Sequence, residues 1–177
     1  MRDIGLTSHA AVSEQALNAY LSDHRAGAAA GCELAGRLRD KHRGTAEEPF
    51  FSALAKAIDE DRATLDRLIE QLGLVRSRVK ETAGWVLEKV SRLKLNDRLT
   101  GSPELTTLLQ EEALSLGIEG KLALWKSLKA VADDEPALAA TNFDALMNRA
   151  QTQLDGLEAR RLASALNALR AGTGRQP

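Results

Sequence analysis

Four long stretches of this chain repeat apolar residues at alternating steps of three and four. That is the stripe of a helix that buries one face against its neighbours. On the first stretch the stripe is Leu17, Leu21, Ala28, Gly31, Ala35 and Leu38, and on the second Leu54, Ile58, Leu65, Leu68 and Leu72. The third reads Leu105, Leu109, Leu116 and Ala123, and the fourth Phe143, Leu146, Ala150, Leu154 and Leu157. Strand-forming Val, Ile, Tyr and Phe are sparse, with aromatics at 3%, so nothing competes with a helical reading.

Punctuation places the helix ends. Gly44 and Gly73 follow the first two stripes as C-terminal stops. Thr45 and Glu48 have the spacing of a capping box, with Pro49 in the tolerant first turn. Ser102-Pro103-Glu104 is a cap residue, a proline at the first helical position and an acid at the positive end of the dipole. The fourth helix starts near Thr141, with Asp144 three residues on. The expected helices span about 13–43, 45–72, 102–132 and 141–171, in one domain covering 1–177.

Residues 73–102 are too long for a structureless loop in a compact domain. Val79, Ala83, Val86, Val90 and Leu93 give them a stripe of their own, so a short fifth helix is expected over about 77–95. Short connections make helices one and two, and the last two, antiparallel pairs. A long connection in the middle makes the second and third parallel. The expected fold is an all-α four-helix bundle with one long crossover, the arrangement of ferritin-like folds.

Charge and motif content narrow the function by exclusion. With 24 basic and 25 acidic residues the chain has no bulk attraction for nucleic acid or acidic membranes. No apolar run approaches the length that spans a bilayer. No signal peptide is read at the N-terminus, and a single cysteine, Cys32, suits a reducing cytoplasm. Phosphate-loop, nucleophile-elbow and zinc-binding spacings are missing from the sequence.

The runs AYLSDHRAGAAAGCELAGRL, AIDEDRATL, GWVLEKVSRLKLNDRLTGSPEL and EGKLALWKSL resemble a group of uncharacterised bacterial proteins with a ferritin-like helical fold. The resemblance covers about Ala19 to Val131. It implies the fold but no assigned activity. Working members of the wider superfamily place a Glu on each of two helices and a Glu-x-x-His on each of the other two. The three histidines here are His9, His24 and His42, none on helices two to four, so neither Glu-x-x-His is present. Fold inheritance is therefore expected and activity inheritance is not.

Five polar residues interrupt the stripes: His24, Asp61, Glu112, Glu119 and Arg161. Buried charge needs a partner. Helix levels pair Glu112 with Arg161 and bring Asp61 opposite Glu119 near mid-bundle, beside Gly27, Ala28 and Gly31. Two facing carboxylates fit a hydrogen-bonded network completed by Arg25, Lys121 or Gln151. They also fit a carboxylate metal site for iron or manganese, with His24 and Glu112 as helpers, or a shared proton. A lone His24 on the core face is also an ordinary satisfied core residue. Glu33, nine residues on, is half a turn out of phase with it and faces outward. Gly27 and Gly31 form a Gly-x-x-x-Gly pair, read either as close helix approach with Trp125 filling the gap or as room for a small ligand. Cys32 reads as a buried filler.

The segment from Arg76 to Arg98 has a local excess of four positive charges, with Trp85 off its apolar stripe. Trp85, Lys89, Arg92 and Lys94 form a candidate surface for a partner protein or for peripheral membrane contact; the alternative is a helix docked on the bundle with solvated charges. The reading that unites these features is a non-catalytic bundle with a structural or protein-interaction role and no cofactor, acting by self-association or on another protein. The alternative is a divergent di-iron or manganese carboxylate protein.

Overall fold

The computed structural model describes residues 12–74 and 102–170. These are all helical, without a strand among the described residues: α1 (Glu14–Lys41), α2 (Glu48–Gln71), α3 (Pro103–Ala130), a 3-10 turn (Pro136–Leu138) and α4 (Phe143–Leu169). The expected fifth helix over 77–95 and the surface of Trp85, Lys89, Arg92 and Lys94 lie outside the described residues.

The helix ends follow their local chemistry. Ser13, Ser102 and Asn142 cap α1, α3 and α4 by accepting from the backbone N–H of Ala16, Leu105 and Ala145. Gly44 and Gly73 take the left-handed conformation, φ 77° and 64°, and end the first two helices. The start of α2 departs from expectation. Thr45 does not open it, because its hydroxyl donates to the carbonyl of His42 (2.7 Å) and helps close α1. Glu48 reaches back to the N–H of Gly44 (2.6 Å), one residue beyond a capping box, and the helix begins three residues late.

Helix α1 packs on α2 and α3, and α3 packs on α4. Side chains close the ring between α2 and α4: Arg160 binds Glu47 at 2.6 Å and stacks its guanidinium 3.4 Å above the Phe50 ring. Directions follow from the contacts. Lys41, at the end of α1, donates to the Pro103 carbonyl at the start of α3, and Tyr20 near the start of α1 meets Ser127 near the end of α3. All adjacent helices are therefore antiparallel, and the diagonal pair α2 and α3 runs parallel. The chain leaves α2 at Leu74, packed among Trp125 and Leu128, and returns at Ser102 at the opposite end.

The interior is two apolar clusters. One gathers Leu17, Leu21, Leu65, Leu68, Trp125, Leu128 and Phe143 around the α3–α4 turn. The other gathers Leu34, Leu38, Phe51, Leu54, Ile58, Leu114 and Leu157 around the α1–α2 turn. The stripes expected on α1, α2 and α4 supply these cores. On α3 the expected face is not the buried one. Leu116 is 63% exposed and Ala123 is exposed, while Leu108, Leu114, Ile118, Leu124, Trp125 and Leu128 point inward. This helix carries leucine on every side, so its periodicity does not choose a face.

A candidate binding site at mid-bundle

Between the two apolar clusters the bundle holds a polar layer. Helix α2 puts Asp61 there because it lies three residues after Ile58 and four before Leu65, on the same stripe. Asp61 is 2% exposed. Its Oδ2 accepts from Lys121 Nζ of α3 (2.5 Å) and from Gln153 Nε2 of α4 (3.1 Å), and its Oδ1 accepts from Arg149 of α4. Lys121 also donates to Gln153 Oε1 (2.5 Å), and Arg149 reaches Glu60 at 3.7 Å. Burial pulls the Lys121 pKa down, against the charge of Asp61 that pushes it up.

The layer differs from the expected one in a single physical respect. Rotation of α3 onto its other face turns Glu119 outward. It is exposed and lines a surface groove between α3 and α4 with Gln151, Asp155 and Lys126. Two residues along a helix are about 200° apart, so the face that presents Lys121 cannot also present Glu119. Asp61 thus faces an ammonium, not a second carboxylate. Of the expected completing groups Lys121 is present. Arg25 instead binds Asp66 (2.6 Å) and Gln151 binds Asp155 (2.8 Å).

His24 is half-buried, edge-on to Tyr20 at 4.5 Å, with its pKa lowered by burial against the raising effect of Asp23. Glu33 faces outward, as its phase requires, and pairs with Arg37. Glu112 pairs with Arg161 at 3.3 Å, as the helix levels predict, and the same guanidinium grips Glu158 with two bonds of 2.7 Å. The carboxylate that α3 does bury is Glu111, 1% exposed, with its Oε2 unpartnered among the described residues. Burial raises its pKa, and the hydroxyl of Ser164 and the charge of Lys41 offset this in part. Its sequence signal is weak, because Glu111 and Glu112 are adjacent and only the correct face of α3 separates them.

Among the described residues, the donor set of this layer as it is paired does not suit a metal. A hard cation needs several free carboxylate or carbonyl oxygens. Both oxygens of Asp61 already accept from cations or an amide, Glu112 is held by Arg161, and Glu119 is elsewhere. Among the described residues no three His, Cys, Asp or Glu side chains converge.

Beside the layer lies a cavity of about 440 Å³ between α1, α2 and α3. Gly27, Gly31, Gly117 and Gly120 line it, with Ile58 and Leu65 at its α2 wall and Trp125 at one end. Close helix approach between described residues does not account for these glycines. Among the described residues, nothing lies within 4 Å of the place where a Cβ would stand on any of the four. Gly156 is the contrast: a Cβ there would be 2.8 Å from Cε2 of Phe50. Trp125 is fully buried in the core at the cavity's end, not wedged between the glycines.

No helix among the described residues is long and apolar enough to cross a membrane. Comparison with family models, with curated protein sequences and with solved structures returns no match.

Proposed function

We propose that this chain is a non-catalytic bundle of ferritin-like plan that works by interaction, through self-association or on another protein, in a bacterial cytoplasm. The observation that carries the non-catalytic reading is the closure of the Asp61 layer. The carboxylate that would ligate a metal or move a proton is held by Lys121, Arg149 and Gln153. In support of the ferritin-like plan, α2 and α3 run parallel and are joined by a connection that leaves one end of the bundle and returns at the other. The lone Cys32 suits a reducing compartment. In support of interaction, Leu162, Leu166 and Leu169 leave 50%, 51% and 69% of their surface exposed on one side of α4.

The test is metal content by elemental mass spectrometry on tag-free protein expressed with iron and manganese supplied, beside an Asp61→Ala, Glu119→Ala variant. The expected result is no stoichiometric metal in either. Near-stoichiometric metal in wild type, lost in the variant, overturns the reading in favour of a carboxylate metal protein. Light scattering on wild type and a Leu162→Ser, Leu166→Ser variant tests self-association. A wild-type oligomer that dissociates in the variant supports it, and a monomer throughout overturns self-association.

A further inference from the structure

We infer that the glycine-lined cavity between α1, α2 and α3 is a binding site for a small, uncharged, largely apolar molecule that carries one hydrogen-bond acceptor. Four observations lead there. The first is cost without packing return. Glycine inside a helix is disfavoured relative to alanine because it loses more backbone freedom on folding and buries no side chain. That cost is usually repaid by a close neighbour, as at Gly156 against Phe50. At Gly27, Gly31, Gly117 and Gly120, as at Gly36 outside the cavity, no described residue lies within 4 Å of an added Cβ. What these positions provide is space.

The second is size. At about 440 Å³ the cavity falls in the range of small-molecule sites. An apolar cavity of about 150 Å³ already takes a single aromatic ring. The third is polarity. The walls are mostly glycine backbone, alanine and the side chains of Leu34, Ile58, Leu65 and Leu114, with the half-buried imidazole of His24 among them. The charges that border them cancel: Asp23 and Arg62 are of opposite sign, and Lys121 is bound to Asp61. No surplus charge remains to recruit an ion. The fourth is a group without a partner. Trp125 lines the cavity, is 0% exposed, and its indole Nε1 donates to nothing among the described residues. A buried donor left unpaired is unfavourable. The nitrogen has no surface open to the cavity, so a carbonyl, ether or hydroxyl oxygen on the ligand accepts from it once binding shifts the ring or its neighbours.

The experiment titrates the full chain with two uncharged probes. One is N-phenyl-1-naphthylamine, read by its fluorescence gain. The other is 2-acetonaphthone, which carries a carbonyl acceptor and is read by displacement of the first. A Gly31→Leu, Gly117→Leu variant fills the cavity, and thermal unfolding confirms that it folds. A Trp125→Phe variant keeps the shape and removes the N–H. A Leu162→Ser, Leu166→Ser variant controls for adhesion to the exposed stripe of α4. Saturable binding is expected in wild type and in the stripe variant, at least tenfold weaker in the filled variant. The ketone is expected to lose several-fold in Trp125→Phe while the amine changes little. Lack of saturable binding in wild type, or equal binding in the filled variant, overturns the site. Equal ketone affinity in Trp125→Phe overturns the acceptor. Metal uptake, which would refute the non-catalytic reading, does not enter either readout.

Discussion

Replacement of Asp61 by alanine tests whether the mid-bundle layer is held by charge pairing. The variant removes the anion and leaves Lys121, 15% exposed, with Gln153 Oε1 as its remaining acceptor among the described residues. Removing one partner of a buried pair costs about 3–5 kcal/mol, because the other charge stays buried and uncompensated. Arg149 is about a third exposed and can turn its charge to water and to Glu60, so its share is small. The loss falls mainly on Lys121 and is expected at about 3 kcal/mol, the low end of that range. For a chain of this size it lowers Tm by about 6–12 °C. Urea unfolding followed by far-ultraviolet circular dichroism measures it directly. The pH dependence supplies an internal check. The Lys121 pKa is depressed in the folded state, so between that value and the ordinary 10.5 the unfolded chain binds more protons. Stability therefore rises with pH across that window and is lost as pH falls through the folded value. Without Asp61, whose charge raises the Lys121 pKa, the window opens at lower pH. An apolar pair, Asp61→Leu with Lys121→Met, should regain most of the stability. An Asp61→Ala protein within about 0.5 kcal/mol of wild type would refute the reasoning.

Three further outcomes are expected. Gly156→Ala should destabilise by about 1–3 kcal/mol in thermal unfolding despite alanine's better helix propensity, because Phe50 is pinned beneath Arg160 and cannot yield; a gain in Tm would contradict the contact. Glu111 has a raised pKa, so above its ordinary 4.5 the folded chain keeps a proton that the unfolded chain has lost, and stability falls as pH rises through that window. Glu111→Gln should flatten this fall and be the more stable protein at neutral pH, and an identical pH profile for the two would sink the assignment. Burial pushes the Cys32 thiol from its ordinary 9.0 up to about 11, which leaves about a hundredfold less thiolate at mildly alkaline pH. Alkylation of native protein by iodoacetamide should be slower than after denaturation by a comparable factor, and equal rates would show the thiol to be open.

How much of this was legible in the sequence depends on how cleanly each helix separates its faces. Helices α1 and α2, and α4 as far as Leu157, confine large apolar residues to one side, so Leu17, Leu38, Ile58, Leu65 and Leu157 were readable as core, and Asp61 stood out as an interruption. Helix α3 carries Leu105, Leu109 and Leu116 on one side and Leu114, Leu124 and Leu128 on another. Only the packing of its neighbours decides which goes inside, and that choice exchanged Glu119 for Lys121 and Glu112 for Glu111. Arg149 and Gln153 escaped for another reason. They flank Ala150 on α4 and reach the layer with long side chains, a placement that a stripe of Cβ positions does not register. The cavity was readable only as a pair of alternatives, since Gly27 and Gly31 permit close approach or space, and the facing Gly117 and Gly120 become relevant only once α3 is oriented.

The division of the interior into two apolar clusters has a consequence for how the bundle assembles. Each cluster forms around a different local connection, short between α1 and α2 and longer, with a 3-10 turn, between α3 and α4: Leu38 and Phe51 close at one end, and Leu128 and Phe143 at the other. Each end therefore owns a local loop closure, the least costly kind in entropy, and can gather its first contacts without the other. The two hairpins become one cooperative unit when their long-range contacts form, and Asp61, Lys121 and Arg149 lie at the seam. Amide exchange should register that seam as the boundary between two opening units, with either end free to fray while the far hairpin holds.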